Sequence, residues 1–106
     1  MLNIITSTEV IARADHEVSL TTYTVAGYTL VRVWSPVESR TEWRVSAPRD
    51  LPSITDTADV FAAKPIYGVN WSAQGTQNIA DARAYGALLI TAADVADVFN
   101  HIIASN

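Results

Sequence analysis

The sequence predicts an α+β fold: an antiparallel meander of three to four strands packed against one long C-terminal helix. Three observations carry that expectation. Within residues 82–103, Tyr85, Ala92 and Phe99 recur every seventh position, interleaved with Leu88, Val95 and Ile102 and with Leu89, Ala96 and Ile103. This is a wide, core-facing apolar stripe. Residues 18–25 and 28–34 are rich in β-branched and aromatic side chains and are separated only by Ala26-Gly27, the form of a hairpin. The chain has 106 residues, 49% of them hydrophobic and 17% charged, enough for one modest core, so a single domain over 1–106 is expected.

The elements follow in order. Thr6 with Glu9 three positions on has the form of a capping box, after which Val10, Ile11 and Ala14 would share one face of a short N-terminal helix ending near Asp15. The same residues, 7–15, also fit a strand. Ser35-Pro36-Val37-Glu38-Ser39 makes a turn into a third strand, 41–46, in which Trp43 and Val45 share one face and Glu42, Arg44 and Ser46 the other. Residues 47–65 hold Pro48, Pro52 and Pro65 and read as mostly loop, with a helical turn near 58–63. Residues 66–72 fit a fourth strand closed by Gln74-Gly75, Thr76 fits an N-cap, and Asp81 falls in the first turn, where the helix dipole favours an acid.

Composition excludes several chemistries. There is no cysteine, hence no disulfide, thiolate zinc site or cysteine nucleophile. Nucleotide-binding glycine loops, HExxH and GxSxG are all absent from the sequence. No catalytic, cofactor-binding or metal-ligating residue is assigned, and the chain reads as a non-enzyme. The opening Met1-Leu2-Asn3-Ile4-Ile5 lacks a basic segment and its apolar run stops at Thr6, unlike a signal peptide or membrane anchor, so the cytoplasm is the expected compartment. The net charge is −4. A basic excess occurs only in residues 32–49, where Arg32, Arg40, Arg44 and Arg49 outnumber Glu38 and Glu42.

Two polar constellations have a bland reading. Asp94, Asp97 and His101 sit at helical spacings opposite the apolar stripe, the pattern of a solvated face with a histidine near the C-terminus. Asp15-His16-Glu17 reads as a polar turn. Two other features are candidates for recognition. Between Arg83 and Asp94 the helix carries no charge on any side, with Ala84, Ala87, Ile90 and Thr91 off the main stripe. A helix apolar all round is covered all round, so either 47–65 folds over it or a second copy of the chain does. Ala87, Ile90 and Thr91 are therefore expected in a homodimer contact. Arg32, Trp34, Trp43 and Arg44 form the second group, from which Trp34, Arg32 and Arg44 are expected to meet a protein partner, since Trp and Arg dominate interface energetics. Period-two alternation lets at most three of the four share a face.

The segment Val69-Asn70-Trp71-Ser72-Ala73-Gln74-Gly75, followed by an alanine-rich helix with Leu88-Leu89 and Ala92-Ala93-Asp94, resembles short uncharacterised proteins of actinobacteria and their phages. The resemblance covers the last third of the chain. It implies a small accessory protein of phage or mobile-element origin, a class rich in binders and inhibitors of host proteins. The leading expectation is thus a cytoplasmic protein-interaction module, a homodimer with a protein partner and no membrane. The alternatives are a nucleic-acid binder using the Arg/Trp sheet face, disfavoured by the acidic charge, and a small-molecule binder or enzyme with a pocket between the sheet and residues 47–65.

Overall fold

β-Branched residues at alternating positions drive the first half of the chain into a meander. In the computed structural model, which describes residues 2–59, 61–70 and 78–106, strands β1 (Ile4–Arg13), β2 (His16–Val25), β3 (Tyr28–Ser35) and β4 (Arg40–Ser46) form one antiparallel sheet in the order β1-β2-β3-β4. Residues 7–15 therefore form no helix. The capping-box pattern of Thr6 and Glu9 is overruled by a ladder that runs from Ile4 opposite Val25 to Arg13 opposite His16. A single helical turn cannot compete with pairing along a whole strand.

The turn chemistry is local. Ala26 and Gly27 both have positive φ, 50° and 84°, between the paired Val25 and Tyr28, which is the type I′ geometry that matches strand twist. Glycine adopts that conformation freely, whereas alanine is strained there. Replacing Ala26 by asparagine is expected to stabilise the protein by about 0.5–1 kcal/mol, read as a raised denaturation midpoint at unchanged slope. An unchanged or lowered midpoint would refute the turn assignment.

The two edges of this sheet differ. β4 carries Arg40, Glu42 and Arg44 at alternate positions, whereas along β1 the charges are Glu9 and Arg13 alone, and Ile4, Ile5 and Val10 are exposed. Along β3, burial passes from one face to the other. Tyr28 and Leu30 are buried on the first face, Val33 and Ser35 on the second, as the coiling of a twisted sheet permits. Arg32 and Trp34 consequently lie where the first face is opening to solvent.

The chain divides into two compact units, residues 1–46 and 47–106. In the second, β5 (Ser53–Asp56) and β6 (Tyr67–Asn70) pair antiparallel, and α1 (Ile79–Ala104) packs on both, mainly on β6. The expected fourth strand is present from Tyr67 to Asn70, but its partner is β5 rather than the meander, and the meander's fourth strand is β1. Residues 71 and 72 of that expected strand, and Thr76, lie outside the described residues. The segment 47–65, read as mostly loop, supplies β5 and then a turn closed by Ala62 N–H donating to Asp59 O at 2.9 Å. Asp56 Oδ1 ties the two strands' ends together by accepting from Ala58 N and Ile66 N at 2.8 and 3.1 Å.

The helix begins at Ile79, three residues before the apolar stripe, with Asp81 in its first turn as expected and with Asn78 rather than Thr76 as its cap. Its N-cap is Asn78, whose Oδ1 accepts from Asp81 N at 2.8 Å while its Nδ2 donates to Asp81 Oδ2 at 2.9 Å. At the other end Lys64 Nζ donates to the oxygens of Ile103 and Asn106 at 3.2 and 3.0 Å, which places a cation at the C-terminal end of the helix. The buried residues of α1 are Ala92, Val95, Ala96, Phe99 and Ile103, all in its C-terminal half. A second fixture is Asn100, whose Oδ1 accepts from Tyr67 N at 2.8 Å and whose Nδ2 donates to Tyr67 O at 3.0 Å. One side-chain amide thus satisfies both backbone groups of a strand residue.

Candidate interaction surfaces

The N-terminal half of α1 is apolar and open. Ile79 is 73% exposed, Ile90 66% and Leu88 36%, and no residue from Ile79 to Thr91 is buried. Segment 47–65 leaves Ile90 uncovered, so of the two covers that the sequence allowed, the intramolecular one is not in place. Ala87 is exposed beside Ile90, and Thr91 is half-buried with its hydroxyl donating to Ala87 O at 3.2 Å, which leaves its methyl as the group available for contact. On a 100° wheel Arg83, Ala87, Ile90, Asp94 and Asp97 fall within one stripe, opposite Ala92, Val95, Phe99 and Ile103. Neither Arg83 nor Asp94 forms an ion pair among the described residues.

By length and composition α1 could cross a membrane. The uncharged run 84–93 rises only about 15 Å, half of a hydrocarbon core of about 30 Å, and the charged half of the helix packs on β5 and β6.

The sheet brings three of the four Arg/Trp residues together. Arg32 lies directly opposite Trp43 on β4 and Thr21 on β2, and Trp34 lies two positions along on the same face. The Arg32 guanidinium carbon is 5.8 Å from the Trp34 ring centroid, within cation–π range. Its Nε is buried and has no hydrogen-bond partner among the described residues. Leaving such a donor unpaired costs about 1–3 kcal/mol. Arg44 does not join this group. It stands opposite Val31 on the other face, with Nη2 at 3.3 Å from Glu42 Oε2.

His16 Nδ1 is 3.1 Å from Asp15 Oδ1, and that bond, helped by the Asp15 backbone amide and the histidine's charge, holds the Asp15 carboxyl below its ordinary value. His101 Nδ1 lies 3.1 Å from Asp97 O and 3.8 Å from Asp97 Oδ1, and Asp94 makes no contact with the pair. Among the described residues no three His, Cys, Asp or Glu side chains are placed to hold a metal ion. Burial raises the Tyr28 phenol, and burial with the charge of Asp56 raises that of Tyr67. Two open clefts exist. One of about 340 Å³ is lined by Arg49, Asp50, Ser53, Asn70 and Tyr85, and another of about 230 Å³ by Arg13, Arg40, Glu38, Glu42 and Ser35. Neither contains a histidine, and their arginines are matched by acids, so neither assembles an acid–base pair with a nucleophile.

Sequence reasoning takes Arg83 and Asp94 only as the bounds of the uncharged run, with Asp94 also in a solvated polar face, and does not single out Gly86 within the run. No protein family, curated protein or solved structure matches the chain.

Proposed function

We propose that this chain is a non-enzymatic interaction protein that self-associates through the outer face of α1 and meets a protein partner through Arg32, Trp34 and Trp43. The observation that carries the reading is the exposure of Ile90, with Ala87 beside it, on the outer side of a helix half that has no charge between Arg83 and Asp94. Exposed apolar surface of this kind marks an interaction site. The Arg/Trp face supports the second contact, with an aromatic pair for burial and the Arg32 guanidinium over the Trp34 ring. The likeness of residues 69–75 and the following helix to small actinobacterial and phage proteins agrees with this reading, since that class is rich in binders of host proteins.

Light scattering across a dilution series tests the self-association. The wild-type chain is expected to pass from two copies to one on dilution. The Ile90→Asp variant should stay monomeric throughout while keeping its denaturation midpoint, because a 66% exposed residue contributes little to folding. Removing an isoleucine from each side of a dimer, at about 1.5–3 kcal/mol apiece, should raise the dissociation constant by roughly 100-fold or more. An Ile90→Asp protein with wild-type mass at every concentration would overturn the helix contact.

A further inference from the structure

We propose that the occupant of the α1 face is α1 of a second copy, laid antiparallel about a two-fold axis that crosses between Leu88 and Leu89. This rests on the self-association reading above and adds its geometry.

The exposed stripe Ala80, Arg83, Ala87, Ile90, Asp94, Asp97 steps by three and four alternately, the spacing of a two-helix seam. An antiparallel two-fold at that axis sets Ala87 against the partner's Ile90, so a large side chain enters the space over a small one, and the same contact repeats on the other side of the axis. It also sets Arg83 against the partner's Asp94, again twice, which pairs two groups that have no ion partner among the described residues. A parallel pairing would instead oppose Arg83 to the partner's Arg83 and Asp94 to the partner's Asp94, and stack Ile90 on itself while leaving a gap at Ala87. Antiparallel helix dipoles add to the same preference.

Gly86 supplies an independent observation. Glycine in a helix interior costs about 1 kcal/mol relative to alanine. Among the described residues nothing lies within 4 Å of the position a Cβ would take at Gly86, so their packing gives no reason for its presence. It lies beside Ile90 on the outer face, at one flank of the seam, and the proposed two-fold brings the partner's Ala93 to that same flank. A missing Cβ there lets the two backbones approach to about 8 Å, the close end of helix packing, with the partner's Ala93 nearly as small. A helix pair of this length buries on the order of 1,000 Å², the lower bound of a specific interface, which fits a dimer that dissociates on dilution.

Charge reversal decides the register. Arg83→Asp and Asp94→Arg, each alone, turn both ion pairs of the dimer into like-charge pairs, and each is expected to weaken self-association about tenfold at low salt. Mixed together, the two single variants are expected to form a heterodimer, because each then supplies the charge that the other lacks. The double variant should return to within about threefold of wild type. Gly86→Leu should disperse the dimer without lowering the midpoint of unfolding, since the side chain has open space in the monomer. If Ile90→Asp is monomeric but the charge variants dimerise like wild type and gain nothing on mixing, the antiparallel register is overturned while the helix contact stands. A wild-type chain that stays monomeric throughout the dilution series overturns both and assigns the face to a different occupant, a heterologous protein or a lipid surface.

Discussion

Replacing Phe99 by alanine is expected to lower the stability of the protein by about 3–5 kcal/mol, the cost of an emptied aromatic site in a close-packed core. Phe99 is 0% exposed and sits midway along the buried stripe, with Val95 and Ala96 one turn before it and Ile103 one turn after. The sheet under the helix has only two strands of four residues each, with Ile54 and Tyr67 as its buried side chains. So short a surface has little capacity to collapse into the space. A protein of this size has a total stability of about 5–15 kcal/mol, so the variant falls close to the folding threshold. Denaturant unfolding with Phe99→Leu as a milder companion gives the measurement. A loss under about 1 kcal/mol for the alanine variant would mean that the stripe is not the core of residues 47–106.

The second large effect is expected at Asn100. Leucine has nearly the same shape, so Asn100→Leu removes both hydrogen bonds to Tyr67 and leaves its N–H and C=O without partners in a partly buried place. Each unsatisfied group costs about 1–3 kcal/mol, so a loss of roughly 2–6 kcal/mol follows, toward the lower end in a place that is only partly buried. Hydrogen exchange supplies a local readout that global unfolding does not. The Tyr67 amide should lose its protection in the variant under conditions in which the amides of β2 and β3 keep theirs. Asn100→Asp keeps the acceptor and removes the donor, and should fall between the two. Equal protection at Tyr67 in wild type and in Asn100→Leu would contradict the fork geometry.

How far the fold is legible in the sequence depends on how many residues vote for each element. The stripe from Tyr85 to Ile103 spans more than five turns, so the helix and its buried face follow from periodicity alone. Its start does not, because Ile79 and Ala80 precede the stripe and the cap is the single residue Asn78. β5 was hidden for a different reason. Four residues after Pro52 are too few to show alternation, and the strand exists because Tyr67–Asn70 lies beside it, a tertiary fact. At the N-terminus, Thr6 and Glu9 spoke for a helix and Ile4, Ile5, Thr8 and Val10 for a strand, and the ladder with β2 decided between them. The candidate surfaces divide in the same way. The placement of Arg32 and Trp34 apart from Arg44 follows from a period of two. The exposure of Ile90 depends on where segment 47–65 goes, and the significance of Arg83 and Asp94 emerges only when a second helix is set against the first.

Every ladder in the structure joins strands that are neighbours in sequence: β1 with β2, β2 with β3, β3 with β4, and β5 with β6. Each hairpin can therefore close as soon as its own residues are available, on a scale of about 1–10 μs, with no strand waiting for a distant mate. Among the hydrogen bonds of Asn100, the pair to Tyr67 spans 33 residues and requires that α1 be formed and seated. Docking of α1, which follows all six strands in the chain, thus becomes the slow event of folding, and the four strands of the meander can zip in the order in which they leave the ribosome.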